Sequence, residues 1–141
     1  MKIKLSHPDA RIPERATAGS AGYDLFSTRD VCVWPGDKQM IDTGVCMDIQ
    51  RGFFGLVCSR SGLGSKYGIT IINGVGVIDS DYRGSIKVAL INHGKKQHWI
   101  RKGDRIAQII FIPRYDPVEF EVVQELTETD RGAGGFGSTG N

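Results

Sequence analysis

Five short clusters in this chain hold most of the residues that could do chemistry. They are Ala21-Gly22-Tyr23-Asp24-Leu25; Arg60-Ser61-Gly62-Leu63; the run from Asn73 through Gly76-Val77-Ile78-Asp79-Ser80-Asp81-Tyr82-Arg83-Gly84; Gly103-Asp104-Arg105-Ile106-Ala107-Gln108; and Arg131-Gly132-Ala133-Gly134-Gly135-Phe136-Gly137-Ser138-Thr139-Gly140. The last combines backbone N–H groups freed by glycine with the Ser138 and Thr139 hydroxyls, a cation at Arg131 and a ring at Phe136. Successive amides in a glycine turn form an anion-binding concavity, arginine grips phosphate with two parallel N–H bonds, and an aromatic ring stacks on any base. Such a segment suits a polyphosphate carrying a base. Composition alone would favour a disordered, solvated tail.

Several familiar sites are excluded. Gly132, Gly134 and Gly137 match the GxGxxG spacing of a dinucleotide-binding turn, but that turn needs a helix after it, and only four residues follow Gly137. Gly64-Ser65-Lys66 lacks the residue order of a P-loop. Cys32, Cys46 and Cys58 are odd in number and widely spaced, so they form no disulfide framework and no CxxC pair; they read as buried free thiols. His7, His93 and His98 have no cysteine partners at zinc-ligand spacing.

The bulk properties bound the rest. A length of 141 residues suits one domain, and 40% hydrophobic with 24% charged residues excludes a disordered or fibrous class. A net charge of +2 argues against a broad nucleic-acid-binding face, so any phosphate site must be local. No apolar run approaches the roughly 20 residues needed to span a bilayer, and Met1–Leu5 alternates lysine with apolar residues, unlike a signal segment. A cytoplasmic protein is expected.

The elements that must position the clusters are strands. Short apolar segments recur every ten or so residues between Gly, Pro, Asp and Asn, the pattern of an all-β sandwich or barrel. Strands are expected over 23–27, 31–34, 39–41, 45–49, 53–58, 69–72 and 105–112, with one short helix over 61–66. Alternation marks three more half-buried strands, around Ile3 and Leu5, around Ile86, Val88 and Leu90, and around Val118, Phe120 and Val122. Trp34-Pro35-Gly36-Asp37 is a turn by mechanism, since Pro pre-sets φ and Gly allows it to be positive. The last strand is expected to end near Val123. Beyond it, residues 124–141 hold five glycines and few apolar side chains, and cannot bury a core. Extended at about 3.3 Å per residue, such a tail reaches about 60 Å, far enough to cover a site on a neighbouring subunit.

In this order and spread over nearly the whole chain, the five clusters closely resemble the five motifs of the homotrimeric dUTP diphosphatase (dUTPase) family. Ser20 stands where many relatives have Asp, and Gly64 where many have Ala. The resemblance implies a jelly-roll-like β-barrel over residues 1–123 with a C-terminal arm over 124–141. It implies a trimer with three sites built from motifs of all three chains, and no direct nucleic-acid or membrane partner. The reaction implied is hydrolysis of dUTP to dUMP and pyrophosphate, which limits uracil in DNA and supplies dUMP for thymidylate synthesis.

Residue by residue, Asp79 matches the carboxylate that directs water at the α-phosphorus, a role a nearby ionised carboxylate can fill as general base. Tyr82 matches the ring that packs on deoxyribose and refuses a 2′-hydroxyl. Asn73, Gly76, Val77 and Ile78 match the β-hairpin that pairs with uracil, where mismatched buried polar groups of cytosine would cost about 1 to 3 kcal/mol each. Ser61, Gly62 and Gln108 match holders of the α- and β-phosphates, and Arg60 a structural or phosphate-facing arginine. Arg131, Ser138, Thr139 and Gly137 match the arm's phosphate contacts, and Phe136 the ring over uracil. Magnesium is the implied cofactor, held by the phosphates and water, with Asp24 an outer-sphere acceptor or a brace for its strand; Mg²⁺ commonly keeps most of its waters.

Two alternatives are weighed against this. A dCTP deaminase shares the fold, but its catalytic Glu falls at Ala89, which cannot shuttle protons. A binding or regulatory protein gated by the arm has no direct support in the residues.

Overall fold

The computed structural model describes residues 1–115 and 118–135. Among them the chain forms eleven strands and one short helix: β1 (Lys2–Leu5), β2 (Tyr23–Phe26), β3 (Val31–Val33), β4 (Lys38–Asp42), β5 (Val45–Asp48), β6 (Phe53–Cys58), α1 (Ser61–Tyr67), β7 (Ile69–Ile71), β8 (Gly76–Ile78), β9 (Lys87–Asn92), β10 (His98–Ile100) and β11 (Arg105–Pro113). The strands pair antiparallel in four small sheets, ordered β2-β11-β6-β8, β4-β9-β7, β1-β5 and β10-β3. This is a jelly-roll-like all-β architecture.

Alternation does the folding work. In β9 the pattern exposed, buried, half-buried, buried sends Val88 and Leu90 inward. They meet Leu25, Val33, Ile41, Ile69, Ile86, Ile100, Ile106 and Ile109 in a core of aliphatic side chains with almost no solvent exposure. Burying each such side chain stabilises by about 1.5 to 3 kcal/mol before conformational entropy is charged. The 34–37 turn closes as expected, with the Asp37 N–H donating to the Trp34 carbonyl at 2.9 Å and Gly36 at φ 79°.

Four expectations are corrected. Residues 118–122 form no strand, and Val118, Phe120 and Val122 are 68%, 92% and 99% exposed, so β11 is the last described strand and ends at Pro113. The alternation is real, but among the described residues nothing covers it. β1 forms yet is exposed along its whole length. The turn at Asn73-Gly74 joins strands of two different sheets, β7 pairing with β9 and β8 with β6, so it is a crossover between sheets and not a hairpin. All three cysteines are free, but only half-buried.

Candidate active site

Two ladders bring the first, second and fourth clusters together. On β2 and β11, Asp24 lies opposite Gln108; on β11 and β6, Gln108 lies opposite Cys58, just before Ser59 and Arg60 lead into α1. Asp24 is the hub. Its Oδ1 accepts from Arg60 Nε at 3.0 Å and its Oδ2 from Arg105 Nη1 at 3.3 Å, while Arg60 Nη1 donates to the Arg105 carbonyl at 3.2 Å. The Asp24 side chain is only 13% exposed. With two arginine partners this largely buried carboxylate stays compensated when one of them turns away, and would be strongly destabilising only with both lost. Gln108 Nε2 donates to the Ser59 carbonyl at 3.2 Å, which ties the fourth cluster to the second.

These residues surround a cavity of about 300 Å³, lined by Gly22, Asp24, Arg60, Ser61, Gly62 and Gln108 among others. Ser61 and Gly62 occupy the first turn of α1, whose N-cap Arg60 makes no side-chain capping bond, so the helix's first amides have no intrahelical partner. Gly22 is required by close approach, because a Cβ there would collide with the Gln108 side chain. In the register it is Asp24, two residues on, that faces Gln108, so no spacing in the sequence signals the role of Gly22.

The third cluster builds a different cavity, of about 290 Å³, lined by Asn73, Val77, Ile78, Asp79 and Tyr82 with Met40, Ile86, Lys87 and Ala89. Gly76, in β8 beside Asn73, backs this cluster. Asp79 is the only carboxylate of that lining; it is exposed and, among the described residues, its carboxylate has no hydrogen-bond or ion-pair partner. The turn carrying it is pinned. Tyr82 N–H donates to the Asp79 carbonyl at 3.2 Å, and Arg83 Nη1 donates to the Ser80 and Tyr82 carbonyls at 2.7 and 3.1 Å while its Nη2 pairs with Asp48 at 2.7 Å. Tyr82 Oη donates to the Ser85 carbonyl at 3.1 Å, and its ring lies so close to Gly84 that a Cβ there would strike it. Arg83 and Gly84 therefore position the turn; sequence reasoning had given them no role.

Under this loop, Ser85 Oγ makes a short hydrogen bond to Asp42, whose Oδ1 also accepts the Gly44 N–H at 2.8 Å. Partial burial pushes the Asp42 carboxyl up. The Ser85 and Gly44 bonds, with the charges of Lys87 and His7, outweigh that and hold it below its ordinary value.

The two cavities share no lining residue, and Arg131 lines neither. Arg131 instead folds back on its own segment, Nε donating to the Gly134 carbonyl at 3.1 Å. Phe136, Gly137, Ser138 and Thr139 lie outside the described residues. The described residues thus hold the clusters in two separate cavities. Among the described residues no three His, Cys, Asp or Glu side chains converge to hold a metal, and no helix is long and apolar enough to cross a membrane.

The family model described as dUTPase matches residues 8–140. A deoxyuridine 5′-triphosphate nucleotidohydrolase of Nautilia profundicola is 48% identical over 140 residues, covering 99% of this chain and 98% of that protein. Its counterpart in Saccharomyces cerevisiae is 41% identical, covering 100% and 95%. Among solved structures, the dUTPase of Staphylococcus bacteriophage 80alpha with dUPNHPP superimposes with a TM-score of 0.89 at 32% identity, covering 99% of this chain and 98% of that one. A mutant dUTPase from phage phi11 of S. aureus, described for its coordination of a structural Mg(II) ion, superimposes with a TM-score of 0.80 at 30% identity, covering 88% and 96%.

Proposed function

This chain belongs to the dUTPase family, and from that premise we infer how its two half-sites carry out the hydrolysis of dUTP to dUMP and pyrophosphate. The observation that carries the assignment of roles is the division of labour between the cavities. One presents hydroxyl, amide and guanidinium donors at Ser61, Gly62, Gln108 and Arg60; the other presents a ring, an amide side chain and a single free carboxylate. The first has the chemistry of a phosphate seat, the second that of a nucleoside seat with a base for water.

In this reading Asn73 and the backbone of Gly76, Val77 and Ile78 pair with the uracil edge, and the Tyr82 ring stands against C2′ of the sugar. Steric refusal of a hydroxyl is stronger than an apolar pocket alone achieves, which is about 100-fold. Asp79 accepts a proton from a water aligned with the α-phosphorus; the water oxygen bonds to phosphorus, the bridging oxygen to the β-phosphorus leaves with pyrophosphate, and dUMP remains. Positioned proton transfer of this kind contributes about 10²- to 10⁴-fold. Ala89 in the nucleoside cavity, where a deaminase of this fold would need a carboxylate, supports hydrolysis over deamination.

Since the half-sites do not meet among the described residues, a homotrimer with shared sites is part of the proposal. The exposed apolar side chains Val75, Val77 and Met40 beside the nucleoside cavity, and Val118, Phe120 and Val122 farther on, support it. Residues 1–123 act as the barrel and 124–141 as the arm, with Arg131, Gly137, Ser138 and Thr139 closing on the γ-phosphate and Phe136 on the base. Closure of such a lid expels water and completes the charge-stabilising shell. The three half-buried free thiols suit a reducing compartment such as the cytoplasm.

The donor set fits magnesium bound through substrate. Asp24 lines the phosphate-side cavity, but both its oxygens already accept arginine bonds, so it is suited to hold a metal-bound water and not the ion itself. When bound, the ion supplies charge neutralisation on the phosphate oxygens. Pyrophosphate release measured on dUTP, UTP, dTTP and dCTP, with and without Mg²⁺, tests the whole reading. Turnover confined to dUTP and dependent on the metal is expected; comparable rates on UTP or dCTP would overturn it.

A further inference from the structure

Beside the phosphate-side cavity lies a larger polar one, of about 420 Å³, that no step above uses. The two share Ala16, Asp24 and Arg105 as a common wall. The larger is lined by three guanidiniums, Arg11, Arg15 and Arg105, and three carboxylates, Glu14, Asp24 and Asp104. Formally these six charges balance, but the carboxylates are already engaged. Glu14 is taken by Arg11 at 3.3 Å, Asp104 Oδ2 accepts the backbone N–H of Arg101 at 2.7 Å, and Asp24 is held by Arg60 and Arg105.

Arg15 is left over. Among the described residues it makes no ion pair, and its guanidinium lies over the Tyr23 ring at 5.6 Å from the centroid. Arg11 lies similarly over Phe26 at 4.2 Å. A guanidinium resting on a ring face keeps its planar N–H edge for bidentate contact with phosphate; that of Arg15 is unengaged among the described residues, whereas Arg11 would exchange its contacts with Glu14 and the Gly103 carbonyl for the ligand. Arg105 adds a movable third donor: it is 48% exposed, and turning away from Asp24 would leave that carboxylate still paired with Arg60 Nε at 3.0 Å.

We propose that this cavity is a seat for inorganic pyrophosphate, separate from the seat of the nucleotide's own phosphates and reached from it past Arg105. The identity of the ligand rests on the dUTPase reading, since that reaction generates pyrophosphate next door. Product held by Arg11, Arg15 and Arg105 would delay its own departure and inhibit turnover without displacing dUTP.

Steady-state inhibition by added pyrophosphate, with Mg²⁺ in excess of total phosphate so that chelation does not mimic inhibition, gives the first test. Inhibition that lowers kcat and persists at saturating dUTP is expected; purely competitive inhibition would assign pyrophosphate to the nucleotide's phosphate seat and overturn the proposal. Calorimetric titration of pyrophosphate into the full chain gives the second. Arg15→Gln should weaken binding at least about tenfold, the scale of one lost charge-assisted bond, and Arg15→Lys by less, with melting temperatures confirming that both variants fold. Unchanged affinity in both would refute it. If the unaltered protein fails to turn over dUTP at all, the family reading fails; if it turns over dUTP but pyrophosphate only competes, this proposal alone fails.

Discussion

Replacing Gly22 by Ala tests how the barrel positions a phosphate-holding side chain. An added Cβ collides with the end of the Gln108 side chain and stands 3.2 Å from Gln108 Cβ, so the glutamine must leave its place and give up the Nε2 bond to the Ser59 carbonyl. The lost bond costs about 0.5 to 1.5 kcal/mol and the overpacking about 1 to 3, against a gain of about 0.4 to 1 from a stiffer unfolded chain. A net loss of about 1 to 3 kcal/mol in stability follows. With Gln108 no longer aimed at the phosphates, kcat/KM for dUTP should fall about 10- to 100-fold, the worth of one hydrogen bond to a charged group. Urea unfolding at one fixed protein concentration and steady-state kinetics on Gly22→Ala, Gln108→Ala and the double variant form a cycle. Because Gln108→Ala removes the obstructing atoms, the second substitution should cost less than about 1 kcal/mol in that background and leave kcat/KM no lower. Full additivity in both measures would show that Gly22 does not act through Gln108.

Asp79→Asn should lower kcat by at least about 10²-fold while the affinity for a nonhydrolysable dUTP analogue stays within a few-fold, measured by titration; a kcat near the original would remove Asp79 from the chemistry. Deleting residues 129–141 should leave the melting temperature intact and abolish most turnover, and normal activity of the truncated chain would contradict the lid. Tyr82→Ala and Gly84→Ala should both narrow the dUTP-over-UTP preference, the second because the ring loses its resting place against the 84–85 backbone; an unchanged ratio of kcat/KM values would free Tyr82 from sugar selection. Asp42 is held below the ordinary aspartate value of about 3.9, so its contribution to stability is present above about pH 4 and is lost as pH falls through the lower folded value. Ser85→Ala should therefore lower the urea midpoint at pH 7 and converge on the parent protein below that range, whereas an equal gap at all pH values would assign the loss to packing.

Most of the barrel was readable because its strands alternate between a buried and an open face, as β9 does with Val88 and Leu90. The short helix expected over 61–66 forms as Ser61–Tyr67 and stops at Gly68, φ 71°. Two of the failures share a reason. Alternation records that a face needs cover without saying what covers it, so β1 and residues 118–122 read as half-buried while the described residues leave them open. β10 was missed because three residues between basic neighbours carry too little pattern. The site residues were legible as clusters, but their separation into two cavities was not, since spacing along the chain cannot tell which β-ladder each cluster joins. The positioning roles of Gly22, Arg83 and Gly84 depend on close approach across strands and turns, which only coordinates reveal.

The central claim is that a water steered by Asp79 attacks the α-phosphorus of dUTP. Turnover of dUTP in ¹⁸O-enriched water, followed by mass spectrometry of both products, tests it directly. One heavy oxygen in dUMP and none in pyrophosphate is the predicted outcome; label in pyrophosphate would place the attack on the β-phosphorus and contradict the account.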